Sequence, residues 1–214
     1  MRTVPYVDLA AQFAEDRDGL TALTEEVLSS GHWVGGPQVG EFEDALCQFT
    51  GAADAVALGS GTDALMLSMR ALDIGPGDEV ITPPNSFVAS TASIALIGAT
   101  PVFADVLPDQ NIDPKAVETA ITPRTKLILL NSPANPTGVV AGKDDIRTLA
   151  GLAAKHNIAL LSDEIYREFC YDAPLASPTA WNDKTIVVDG FSKTYGVTGW
   201  RLGWVHGPAA IIDK

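Results

Sequence analysis

The chain has 214 residues, 46% of them hydrophobic and 19% charged, with a formal net charge of −13. That length supports one sizeable core, and the acid excess argues against nucleic acid or an anionic membrane as partner while leaving room for a small anionic ligand held by local donors. Two cysteines (Cys47, Cys170) form no metal spacing or disulfide framework, three histidines are scattered, and no apolar leader or membrane-length run is present, so a soluble cytoplasmic protein without metal is expected.

The first ~50 residues read as two amphipathic helices. One runs from Leu9 to Ser30, with Asp8 as cap and Gly31 as stop. The other runs from Pro37 to Thr50 and places Val39, Phe42, Leu46 and Phe49 on one face before Gly51. Strands and helices then alternate. Strands are predicted at Ala55–Leu58, Glu79–Thr82, Pro101–Val106, Leu127–Asn131, Ala159–Asp163, Ile186–Asp189 and Arg201–His206. Helices are predicted at Thr62–Leu72, Phe87–Ile97, Pro114–Ile121 and Lys143–His156. Alternation of this kind predicts an α/β three-layer sandwich around a mostly parallel seven-stranded sheet. The last strand follows its predecessor after a loop too short for a crossover helix, so it is expected to be antiparallel.

In open α/β sheets ligands bind beyond the carboxyl ends of the strands, and the chemically interesting residues fall there. After the first strand, Gly59-Ser-Gly61-Thr62 opens a helix, where Gly61 and Thr62 can offer N–H groups and a hydroxyl to a phosphate; an ordinary helix cap would look the same. Phe87, after the second strand, can stack on a planar ring or simply pack in the core. Asn135, between two prolines after the fourth strand, can donate its amide to a ring oxygen, and Tyr166 can reach the same atom. Asp163 ends an apolar strand, where a carboxylate calls for a cation such as a protonated pyridine nitrogen; a helix cap is the plainer alternative. Lys193 is placed in a Gly-punctuated turn instead of on a helix, where desolvation can ready it to attack a carbonyl. Arg201, eight residues on, returns to the same sheet edge as an oxyanion clamp. An imine-forming amine beside such a clamp is what an aldehyde carrying a phosphate would need.

From Leu127 onward these motifs resemble the aspartate/aromatic branch of class I aminotransferases, which use pyridoxal 5'-phosphate (PLP). The 28-residue interval from Asn135 to Asp163 and the eight-residue interval from Lys193 to Arg201 match that family. The resemblance implies that Lys193 forms the Schiff base and serves as general base, and that Asp163 holds the ring nitrogen. Asn135 and Tyr166 would hold the ring oxygen, and Ser192 and Arg201 the phosphate. Lys193, Asp163 and Tyr166 are thereby the expected catalytic residues. The first ~125 residues, through Val4-Pro-Tyr-Val-Asp-Leu, Ser30-Gly-His-Trp-Val-Gly-Gly-Pro, Gly59-Ser-Gly-Thr-Asp-Ala-Leu and Pro84-Asn-Ser-Phe, resemble the sugar aminotransferases of the DegT/DnrJ type. There Gly61 and Thr62 would hold phosphate and Phe87 would cover the ring. Allegiance changes near Thr125 to Asn131, as in a recombined or engineered hybrid.

These resemblances imply an N-terminal helical segment (1–50), a PLP-binding large domain (51–214) and a smaller C-terminal domain missing after Lys214. The expected function is transamination between a small amino donor and a keto acceptor. A PLP-binding domain with little turnover, or another PLP reaction such as decarboxylation or a lyase step, remains open. Tyr6, Trp33 and Val34 offer apolar groups for a homodimer contact.

Overall fold

The computed structural model describes residues 4–214; the first three, at the start read above for a leader, lie outside them. Two compact units are present, Met1–Phe42 and Glu43–Lys214. In the first, helix α1 (Leu9–Ser30) begins where the Asp8 carboxylate accepts the Ala11 N–H at 3.0 Å and stops at Gly31, whose φ of 72° is the left-handed conformation that glycine tolerates. No α1 side chain is buried. Trp33 Nε1 donates to the Leu28 carbonyl at 3.0 Å. Helix α2 (Pro37–Thr50) has the expected bounds but not the expected buried face: Leu46 is buried, whereas Phe49 is 74% exposed.

The second unit is built on a seven-stranded sheet. Its strands are β1 (Asp54–Leu58), β2 (Glu79–Thr82), β3 (Thr100–Phe103), β4 (Thr125–Asn131), β5 (Ala159–Asp163), β6 (Ile186–Gly190) and β7 (Gly203–Gly207). The order is β1-β7-β6-β5-β4-β2-β3, and β7 alone runs antiparallel, inserted between β1 and β6. The mostly parallel sandwich and its antiparallel last strand are as expected.

Alternation along the strands divides the core. Val80, Leu127, Leu129, Leu161, Ile186, Val188 and Val205 face helices α3 (Gly61–Ala71) and α4 (Val88–Leu96). Ile81, Ile128, Leu130 and Leu160 face α5 (Pro114–Ala120) and α6 (Lys143–His156) on the other side. Both faces are therefore covered, which is why β2 and β6 are buried along their whole length. Among the described residues, no helix is long and apolar enough to cross a membrane.

Three expectations are corrected. β3 ends at Phe103 instead of Val106, because Val106 leaves the sheet to bridge Ile112. β7 starts at Gly203, since Arg201 has a left-handed φ of 58° that no strand accommodates. Lys193 belongs to a one-turn helix, α7 (Phe191–Thr194), and is solvent-exposed, not desolvated in a turn. A second short helix, α8 (Ala209–Ile212), follows β7.

Candidate active site

The strand ends of β1, β4, β5 and β6 open onto one cavity of about 260 Å³. All nine residues singled out from the sequence line it: Gly61, Thr62, Phe87, Asn135, Asp163, Tyr166, Ser192, Lys193 and Arg201. Five further lining residues, Leu65, Ala89, Asn131, Ile165 and Thr198, were not singled out.

At the β1 end the local fold explains how Gly61 and Thr62 come to line the cavity. Ser60 caps α3: its Oγ accepts the Asp63 N–H at 3.0 Å and donates to the Asp63 carboxylate at 2.8 Å, while its carbonyl receives the Ala64 N–H. That leaves the first-turn residues Gly61 and Thr62 at the positive helix end, lining the cavity. Their position is set from behind. A Cβ on Gly203 would lie 2.5 Å from the Ser60 carbonyl carbon and 2.6 Å from the Gly61 nitrogen, so β7 passes closer than any side chain permits. Phe87 precedes α4 and is 51% exposed over the cavity, which disfavours a pure packing role.

The β4 and β5 ends are tied together. Asn131 and Asp163 are register partners, and Asn135 Nδ2 donates to the Tyr166 hydroxyl at 3.1 Å. The peptide bonds before Pro133 and Pro136 are cis. Asp163 accepts the Ile165 N–H at 3.2 Å. Burial pushes its carboxyl up to about 7; that N–H opposes the shift, and the charge of Glu164 adds to it. No cation among the described residues counteracts the rise.

The β6 end carries Lys193, whose Nζ lies 5.9 Å from the centroid of the Tyr166 ring. Phe191, before it, packs on Trp204 and Tyr195 with centroid separations of 4.8 and 5.2 Å, which anchors the short helix to β7. Arg201 Nη1 donates to the Thr198 carbonyl at 3.2 Å, holding the guanidinium at the cavity wall.

On the opposite face of the sheet lies a layer of buried ionisable groups that the sequence did not announce. The Glu164 carboxylate accepts from Ser177 Oγ at 2.7 Å and pairs with Arg167 at 3.4 Å. Burial pushes Asp189 up to about 8 and His206 down to about 4.

A doubly covered sheet with lysine, arginine, acid and amide donors at its strand ends is the large-domain fold of the fold-type-I aminotransferases. Residues 15–165 match the model of the DegT/DnrJ/EryC1/StrS aminotransferase family, and the chain belongs to that family. It is 39% identical over 161 residues to the UDP-2-acetamido-2-deoxy-3-oxo-D-glucuronate aminotransferase of Pseudomonas aeruginosa, a match covering 75% of this chain and 43% of that protein. It is equally 39% identical over 155 residues to the aspartate/prephenate aminotransferase of Thermus thermophilus, covering 71% of this chain and 40% of that one. A double mutant of Thermus thermophilus aspartate aminotransferase superposes with a TM-score of 0.80 at 29% identity, over 100% of this chain and 64% of that structure. The same enzyme with maleate gives 0.71 at 37% identity, over 74% and 42%. The chain thus spans about 40% of the length of the curated relatives it matches.

Proposed function

We propose that this chain is the cofactor-binding large domain of a PLP-dependent aminotransferase that moves an amino group from a small amino donor to a keto acceptor. The observation that carries this is convergence: residues from Gly61 to Arg201, singled out by their chemistry at strand ends and, for Ser192, by the family resemblance, line one cavity. The residues present fit PLP. Asp163 is an acid whose burial no protein cation relieves, and a protonated ring nitrogen is the partner such an acid calls for. Asn135 Nδ2 and the Tyr166 hydroxyl, already within 3.1 Å of each other, would hold the ring oxygen. Gly61, Thr62, Ser192 and Arg201 would hold the phosphate, Phe87 would cover the ring face, and Lys193 Nζ would hold the aldehyde carbon.

When bound, PLP supplies a cationic ring that takes up electrons from the carbon beside a substrate amine. The chain's own groups do the rest. The Asp163 carboxylate keeps the proton on the ring nitrogen; at about 4 Å and an effective dielectric near 20 such a pair is worth roughly 4 kcal/mol before desolvation. Lys193 Nζ acts as general base, taking and returning a proton at the substrate carbon. Arg201 and the α3 terminus fix the phosphate, so that the ring cannot drift from Asp163 while Lys193 acts.

We read the protein further as a cytoplasmic homodimer, supported by exposed Tyr6, Trp33 and Val34 in its N-terminal unit. We also read the chain as a hybrid of the two aminotransferase branches. The family match ends at residue 165, before the Lys193 segment, although it continues past the 125–131 stretch where the motifs change allegiance. Relatives named for a 3-oxo sugar nucleotide and for aspartate and prephenate match at equal identity, which supports an acceptor that is either a keto sugar or a keto acid.

The test is chemical. PLP should add a visible absorption band, and borohydride reduction followed by peptide mapping should place the adduct on Lys193. Labelling spread over several lysines, or retained in Lys193→Ala, would overturn the assignment.

A further inference from the structure

Asn131 is a polar residue in the cavity wall to which the cofactor reading assigns no contact. It ends β4 opposite Asp163, its register partner at the end of β5. Its side chain bonds in two directions. Nδ2 donates to the Asp163 carbonyl at 3.3 Å, and Oδ1 accepts the Asn135 N–H at 3.0 Å. The Asp163 carbonyl also receives the Ser132 N–H at 3.2 Å. One amide therefore joins the residue at one end of the site, Asp163, to the loop carrying Asn135, whose own side chain reaches the Tyr166 hydroxyl at 3.1 Å.

We infer that Asn131 is a positioning residue that sets the spacing between the Asp163 carboxylate and the Asn135–Tyr166 pair. Resting on the cofactor reading above, it fixes how far apart the ring nitrogen and ring oxygen are held. Asp163 is the last residue of β5 and Tyr166 follows on the same segment, whereas Asn135 stands in the loop after β4, so the Asn131 amide works beside the Ser132 and Tyr166 bonds in tying that loop to the end of β5. A planar ring has one nitrogen-to-oxygen distance, so the two must move together to hold both ends. Asparagine suits the task because its amide carries both a donor group and an acceptor on a short stem. Alanine supplies neither group. Aspartate retains the acceptor for the Asn135 N–H and, when ionised, loses the donor.

Two measurements test this. The first needs no cofactor: amide hydrogen exchange at Asn135, read by NMR in the chain without PLP. Asn131→Ala should speed exchange about tenfold or more, and Asn131→Asp should stay near wild type because its acceptor survives. The second is the pH titration of the cofactor's visible band in the loaded protein. In Asn131→Ala the midpoint should rise by about half a unit, since a donor has drifted from the oxyanion it favours, and PLP should bind about tenfold more weakly. Unchanged exchange at Asn135 in Asn131→Ala would overturn the inference. Faster exchange with an unmoved midpoint would also overturn it, leaving Asn131 a loop-stabilising residue only. A wild-type chain that takes up no PLP would instead overturn the cofactor reading, and the exchange measurement would still report on the strut.

Discussion

Replacing Asp163 with asparagine should stabilise the cofactor-free protein at neutral and alkaline pH, although it removes the carboxylate proposed to hold the ring nitrogen. The folded chain holds the Asp163 carboxyl at about 7 against an ordinary 3.8, chiefly through burial. A raised acid binds its proton more tightly when folded than when unfolded. Its contribution is therefore least unfavourable below pH 4, worsens as pH rises from about 4 to 7, and stays constant above. At about 1.4 kcal/mol per pH unit across that window, the ionised carboxylate costs up to about 4 kcal/mol at pH 8. Asparagine keeps an oxygen for the Ile165 N–H and carries no charge. Urea unfolding of both cofactor-free proteins, followed by tryptophan fluorescence, should show Asp163→Asn the more stable at pH 8. The gap should close as pH falls toward 4. Asp189, pushed up to about 8 chiefly by burial, is raised in part by the Asp163 charge, so removing that charge eases Asp189 as well and adds to the gap in the same direction at pH 8. With PLP added the order should invert, because the wild-type carboxylate gains its cation. A difference independent of pH between 4.5 and 8, or a wild type more stable than the variant at pH 8, would refute the reasoning.

Gly203→Ala should disturb, from behind, the start of α3 that is proposed to hold the phosphate. Its Cβ would fall 2.5 Å from the Ser60 carbonyl carbon, against backbone that cannot swing aside, so a loss of about 1–3 kcal/mol is expected in urea unfolding together with weaker PLP binding; wild-type stability and affinity would contradict the close approach. His206 governs the acid limb. Burial, followed by the Arg167 charge, depresses it from 6.5 to about 4, so its contribution is fully present above pH 6.5 and is lost as pH falls through 4. His206→Gln should remove about 3 kcal/mol of that acid-induced loss, read as the difference between the two urea profiles from pH 7 to 4; parallel profiles would show that His206 does not titrate in this window.

How much of this was legible in the sequence depended on what each feature requires. Helix α6 was read with its observed bounds, because Asp144 and Asp145 mark its first turn and Asn157, at φ 52°, its end. The cavity-lining residues were legible for a related reason: in a parallel sheet they follow the strand ends, and strand ends are visible as the close of an apolar run. Tertiary contacts were not visible in that way. Phe49 fits the apolar period of α2 and is nevertheless exposed, since periodicity states which face is apolar but not what covers it. The turn expected at Lys193 is a short helix held by Phe191 against Trp204, a contact across two strands. Arg201 reads as the start of a strand, yet β7 cannot begin until Gly203, the residue that must pass against Ser60.

The same distinction explains why Asn131 escaped notice while Asn135, four residues on, did not. Asn135 stands between prolines in a loop that has no evident core role, so its amide invites a chemical explanation from the sequence alone. Asn131 closes an apolar strand and passes for the first polar residue of a turn. Its importance depends on β4 lying beside β5 with Asn131 opposite Asp163, and that register belongs to the sheet, not to either strand. Glu164 and Asp189 follow suit: each reads as a polar residue at a strand end, but Glu164 is fully buried and Asp189 nearly so on the face away from the cavity. Residues that line the cavity are thus set by where strands end, whereas groups that hold them in place are set by which strands are neighbours. The second kind must be sought in the sheet order, and the amide joining Asp163 to Asn135 is the place where the two kinds meet.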